Sequence, residues 1–116
     1  MEEGRLKQSM LLDFYGELLT DRQRTCYDLH VNEDLSLSEI AEQAGVSRQG
    51  VWDSIRRAEA ALREMEEKTG LMGRFQQIRR GLESLRAPLR ELGQSGDGHV
   101  RQLAEEMAET VEALLR

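Results

Sequence analysis

Residues 36–57 read SLSEIAEQAGVSRQGVWDSIRR, and this stretch constrains the fold more than any other part of the chain. Ser36 and Glu39 stand at the S-x-x-E spacing of a capping box, where each side chain answers a backbone N–H left open by the first helical turn. A short helix is therefore expected over about 37–44. Gly45 follows as the residue best able to take the left-handed backbone that closes a helix. Ser47 then offers a second N-cap, opening a helix from about Arg48. Ile40 and Ala41 on one side of the turn, with Val46, Val51 and Ile55 on the other, are apolar where two crossing helices need them. Two helices joined by a three- or four-residue turn containing Gly form a helix-turn-helix. Two helices packed in an ordinary bundle would not require this matched turn.

The rest of the chain also punctuates into helices. Leu6, Met10, Leu11, Phe14 and Leu18 recur at near-helical spacing over about 5–17, so they are expected to form the inward face of a first helix. Thr20 and Gln23 make another capping box before a helix over about 21–31. Val51, Ile55, Ala58, Leu62 and Met65 alternate at four and three through about 48–68. Thr69-Gly70 interrupts that seam, which resumes at Leu71, Phe75, Ile78, Leu82, Leu85, Leu89 and Leu92. Pro88 lies within it and withholds a backbone donor, which predicts a kink or an early end near Ala87. After the Gly-rich turn at 93–98, Val100, Leu103, Met107, Val111 and Leu114 predict a last helix. The expected class is all-α: a helix-turn-helix domain over 1–68, then a C-terminal amphipathic helical hairpin over 69–116. Neither hairpin helix can hide its apolar stripe alone. The hairpin must pack on itself, on the front domain or on a second copy, and a homodimer through residues 71–115 is expected.

Composition excludes several classes. Among 116 residues, 39% are hydrophobic and only 4% aromatic. Leu, Val, Ile, Met and Ala must therefore supply most of the core. No apolar run approaches the roughly 18 residues that span a bilayer. The opening MEEGRLKQS lacks the apolar centre of a secretion signal. A single cysteine, Cys26, cannot form an intrachain disulfide, which fits a reducing compartment. A cytoplasmic location is expected. The net charge of −6 is unevenly spread: residues 69–92 carry +3, whereas the segments on either side are acidic. A chain that gripped nucleic acid over its whole surface would be basic, so any such contact must be local.

Catalytic chemistry finds little purchase. Cys26 and His30 stand four apart on one helix, but two donors do not make a zinc site. His99 falls in a turn. The many carboxylates pair with Arg at helical spacing, as at Glu59–Arg63 and Arg79–Glu83. No glycine-rich phosphate loop and no nucleophile with a neighbouring base is present. Neither enzyme activity nor any cofactor or metal is expected.

The candidate binding residues lie at the start of the second helix of the motif. Ser47 and the helix N-terminus suit a phosphate. Arg48, Gln49, Asp53, Arg56 and Arg57 present hydrogen-bonding groups outward, and Arg and Gln are the side chains that read guanine and adenine bidentately. Trp52 would stack on a base or anchor a protein partner, or else pack on Leu37 or the first helix. Gly50 would admit close approach of a partner or of the preceding helix. Arg74, Arg79, Arg80 and Arg86 form a possible second basic surface for RNA or an acidic protein, or a solvated face on a dimer-forming helix.

The stretch LLTDRQRTCYDLHVNEDLSLSEIAEQAGVSRQGVWDSIRRAEAAL resembles the DNA-binding region-four domain of bacterial sigma factors, in its "L-t-x-R-Q-r" helix and its "S-x-x-E-I-A-x-x-x-G-v-S-r" motif. A closer resemblance is to the small bacterial YlxM family. It is carried by DFYGELLT, by SLSEIAEQAGVSRQGVWDSIRRAE and by EEKTGLMGRF, and covers about residues 10–80. The resemblance implies an all-helical fold with a sigma-region-four-like helix-turn-helix. Genes of that family neighbour those for the signal recognition particle proteins Ffh and FtsY. It therefore implies a role in, or regulation of, that pathway, with Ffh, FtsY or the particle RNA as partner. The alternative expectation is a sequence-specific transcription regulator that binds duplex DNA. A sigma-like subunit of RNA polymerase is a third, although no region-two-like segment is present.

Overall fold

The computed structural model describes residues 2–116. Seven α-helices run through them: α1 (Glu2–Tyr15), α2 (Asp21–Val31), α3 (Leu37–Ala44), α4 (Arg48–Thr69), α5 (Leu71–Ser84), α6 (Arg86–Leu92) and α7 (Gly98–Leu115), with a 3-10 turn at Gly16–Leu18. No strand occurs among the described residues. The chain divides into two compact units, the first ending at Met72 and the second spanning Gly73–Arg116.

In the first unit the caps sit where the sequence puts them. Thr20 Oγ1 accepts from Gln23 N–H at 3.2 Å while the Gln23 side chain accepts from Thr20 N–H, also at 3.2 Å. Leu11, Leu12, Tyr15, Cys26, Tyr27, Ile40, Val51, Ile55, Ala58 and Leu62 close into one core. α4 is its spine, packing against α1, α2 and α3. Tyr27, Ile40, Val51 and Leu62 are fully buried, and each such side chain contributes roughly 1.5–3 kcal/mol of transfer free energy.

The face of α1 departs from expectation. Leu6, Phe14 and Leu18 are exposed; Leu11 is buried as expected, and Leu12 and Tyr15 turn inward beside it. The chain leaves α-helical geometry after Tyr15, so Leu18 sits in the 3-10 turn and no longer continues the seam. The Tyr15 hydroxyl donates to Glu66 Oε1 at 2.5 Å, and that oxygen also accepts from Met72 N–H at 3.0 Å. Glu66 thus joins α1 to the start of α5, just after Gly70 has turned left-handed at φ 61° to end α4.

In the second unit α6 packs antiparallel on α7 around Leu89, Val111 and Leu115, with Leu82 and Ala108 beside them. The expected long helix over 71–92 is interrupted at Leu85, earlier than Ala87. Leu85 N–H bonds to Leu82 O, a tightened turn, and Pro88 offers no N–H to Ser84. Asp97 caps α7 by accepting from His99 and Val100 N–H, a cap that the turn's glycines obscured.

Candidate nucleic-acid interface

The helix-turn-helix is α3, the turn at 45–47 and α4. Ser36 N–H donates to Glu39 Oε1 at 3.0 Å and Glu39 N–H to Ser36 Oγ at 3.1 Å, closing the capping box. The Ser36 contacts hold the Glu39 carboxyl below the usual carboxylate range. Gly45 adopts φ 69°, ψ 29°, and both its N–H and that of Val46 bond to Ala41 O. Ser47 is extended, and its Oγ accepts from Gly50 N–H at 3.0 Å to open α4. A Cβ on Gly50 would meet Ser47 Oγ at 3.2 Å and Val46 Cβ at 3.9 Å. Gly50 therefore makes room for the cap and the turn rather than for the preceding helix.

Burying Val51, Ser54, Ile55 and Ala58 turns the other side of α4 to solvent. Arg48, Gln49, Arg56 and Arg57 are exposed there, Asp53 is half-buried, and the Gln49 amide donates to Asp53 Oδ1 at 3.3 Å. No ion-pair partner holds Arg48, Arg56 or Arg57 among the described residues. Trp52 is 44% exposed and does not belong to the core. Arg48 and Arg56 flank it one helical turn away on either side.

A shallow depression of about 450 Å³ continues this face along α4, lined by Arg56, Arg57, Glu59, Ala60 and Arg63. Ala60 leaves space between the guanidinium groups. The i, i+4 relation of Arg56 and Ala60 was there to find it. Arg63 is the one cation of the three already engaged, by Glu59 at 2.7 Å, while Glu59 also accepts from Gln8 at 3.3 Å.

The four arginines of the second basic segment are not brought to one side. Arg79 donates to Leu115 O at 2.9 Å and pairs with Glu83 at 3.2 Å; Arg86 pairs with Glu112 at 2.8 Å. Arg74 and Arg80 carry no ion pair among the described residues and, six apart, point in different directions around α5. Elsewhere, Cys26 is buried beside Ser54, and burial pushes its thiol above the usual range. Among the described residues no three His, Cys, Asp or Glu side chains gather as metal ligands, and no helix is long and apolar enough to cross a membrane.

The first unit holds nine basic and fifteen acidic residues, and therefore the entire net charge of −6; the second holds seven of each and is neutral. The cationic start of α4 is thus a small positive area on an acidic body.

Comparison with known proteins agrees with this architecture. Residues 2–96 match the family model UPF0122, described as helix-turn-helix protein, YlxM / p13 like. A UPF0122 protein of Thermoanaerobacter sp. (strain X514) is 38% identical over 115 residues, covering 98% of each chain. One of Bacillus cereus (strain AH187) is 40% identical over 114 residues, covering 98% of this chain and 99% of its own. One of Acetivibrio thermocellus is 56% identical over 79 residues, covering 67% of this chain and 68% of its own. With the turn at Gly45, the cap at Ser47 and the outward face of α4 in place, the chain belongs to the YlxM/p13-like family of helix-turn-helix proteins.

Proposed function

We propose that this chain is a non-catalytic regulatory protein of the cytoplasm that acts in, or regulates, the signal recognition particle pathway. Its binding surface is the start of α4: Ser47, Arg48, Gln49, Trp52, Asp53, Arg56 and Arg57. The observation that carries the proposal is the exposed Trp52 between Arg48 and Arg56, cations without a partner among the described residues. An aromatic ring beside guanidinium groups suits an unpaired base with its phosphates, as in RNA loops and bulges. The particle RNA is accordingly the favoured partner over Ffh or FtsY. Arg74 and Arg80 would add phosphate contacts, and a homodimer formed through residues 71–115 would double them.

Trp52 is the only tryptophan in the chain, so its fluorescence reports directly on this surface. Titration with particle RNA should quench it, with a salt slope reflecting about two or three phosphate contacts. Ffh, FtsY and duplex DNA are the parallel titrants. If none of the four binds at low salt, the proposal fails.

A second reading, a sequence-specific transcription regulator, is favoured by Gln49 and Arg56 on the outward face of the motif's second helix, where base edges are read in the major groove. Selection from a random duplex library should then return an enriched sequence, and Arg56→Ala should weaken its binding.

A further inference from the structure

The hairpin of the second unit has two unlike sides. At 100° per residue, Ala104, Ala108, Val111 and Leu115 point from α7 toward α6, whereas Leu103, Met107 and Leu114 cluster about 90° away. On the α6 strand of the hairpin, Leu85 and Leu92 lie on one flank of buried Leu89, and Arg86 and Arg90 lie on the other. The Arg86–Glu112 pair bridges the two helices on the charged flank, over a groove that Arg90 and Glu105 also line. Leu85, Leu92, Leu103, Met107 and Leu114 must therefore share the opposite flank. They are 45, 44, 43, 46 and 65% exposed. α6 is 7 residues long against 18 for α7, too short to cover the wide apolar arc of its neighbour.

We infer that this flank is the interface for a second copy of the chain. The inference rests on the homodimer reading above and specifies its surface. Two observations select a second copy. First, five neighbouring large apolar side chains, each close to half exposed or more, form a fitting apolar centre for a standard interface of about 800 Å² per partner. Second, the unit that bears them is neutral, so its surface does not repel a second copy of itself, whereas the −6 of the chain resides in the other unit. Ser84, Pro88, Thr110 and Ala113, which border the patch, bring no charge to be buried.

Sedimentation equilibrium of the full chain between 1 and 100 µM tests this. The unaltered protein should be a dimer. Leu103→Glu with Met107→Glu should be monomeric at the same helical content and melting behaviour, since both side chains are already half in water. Leu114→Lys, at the most exposed of the five, should weaken dimerisation at least tenfold. Glu105→Lys, on the charged flank, should leave the dimer intact. A monomer at 100 µM overturns both this interface and the homodimer. A dimer that survives Leu103→Glu/Met107→Glu but breaks with Ile78→Glu overturns this interface and leaves a homodimer through α5. Loss of RNA quenching with the dimer intact would count against the proposed function alone.

Discussion

Arg86 holds Glu112 with two parallel hydrogen bonds, Nε to Oε2 at 2.8 Å and Nη2 to Oε1 at 2.9 Å. The pair joins α6 to α7 across 26 residues and marks the polar side of the hairpin. The Arg86 hydrogen bonds hold the Glu112 carboxyl below its ordinary range, and the same bonds raise the guanidinium. A depressed carboxylate stabilises the fold above its unfolded pKa, and this contribution disappears as pH falls through the folded value. In carbon-detected NMR titration, Glu112 should protonate at lower pH than in Arg86→Ala. The stability gap between the two proteins should shrink on acidification and in high salt. Equal titration curves would contradict the pairing in solution.

Gly45→Ala tests the bend of the helix-turn-helix. No atom lies within 4 Å of the added Cβ, so the cost is confined to the left-handed backbone. A loss of about 1–2 kcal/mol in urea unfolding is expected. A neutral result would mean that the turn relaxes to another conformation.

Core and surface should separate cleanly on neighbouring turns of α3 and α4. Ile40 is fully buried, and Ile40→Ala should cost about 2–5 kcal/mol. Trp52→Ala, at a site outside the core, should change stability by less than about 1 kcal/mol. It should nonetheless reduce RNA binding at least tenfold, read by filter retention, because fluorescence is lost with the ring.

Tyr27 provides an alkaline signature. Its hydroxyl is buried with no hydrogen-bond partner among the described residues, and burial pushes its pKa up to about 12. Because the folded value is raised, the unfolded chain releases this proton first. Stability should therefore fall between pH 10 and 12, by about 1.4 kcal/mol per unit at the steepest. Tyr27→Phe should flatten that fall and, at neutral pH, match or exceed the parent in stability. A steeper alkaline loss in the variant would refute the assignment.

The elements that carry their own local signals were legible in advance. Thr20–Gln23, Ser36–Glu39, Gly45 and Ser47 fix helix ends through hydrogen bonds within a few residues of themselves: α2 and α3 begin at the first two, α3 ends at Gly45 and α4 begins at Ser47. Signals that depend on a tertiary neighbour were not. Periodicity could not tell whether Leu6–Phe14 or Leu11–Tyr15 faces inward, because the choice is made by α4 through contacts such as Tyr15 with Glu66. It also could not tell that Leu103 and Leu115, both on the apolar arc of α7, end in opposite surroundings. At the candidate site, the outward set of α4 followed from the inward one, and the Glu59–Arg63 pair followed from its i, i+4 spacing, but the exposure of Trp52 required coordinates. The Arg79–Glu83 pair was legible from its spacing, but the bond of Arg79 to Leu115 O and the pairing of Arg86 with Glu112 were not, because both partners stand on α7.

Concentrating all the excess acidity in the unit that bears the helix-turn-helix has a kinetic consequence. A polyanion drifting toward most of that unit meets a field that turns it away. Only an approach that aims at Arg48 and Arg56 escapes this repulsion. For a nucleic-acid partner, discrimination would thus be exercised during encounter, through rejected orientations, before any base is touched.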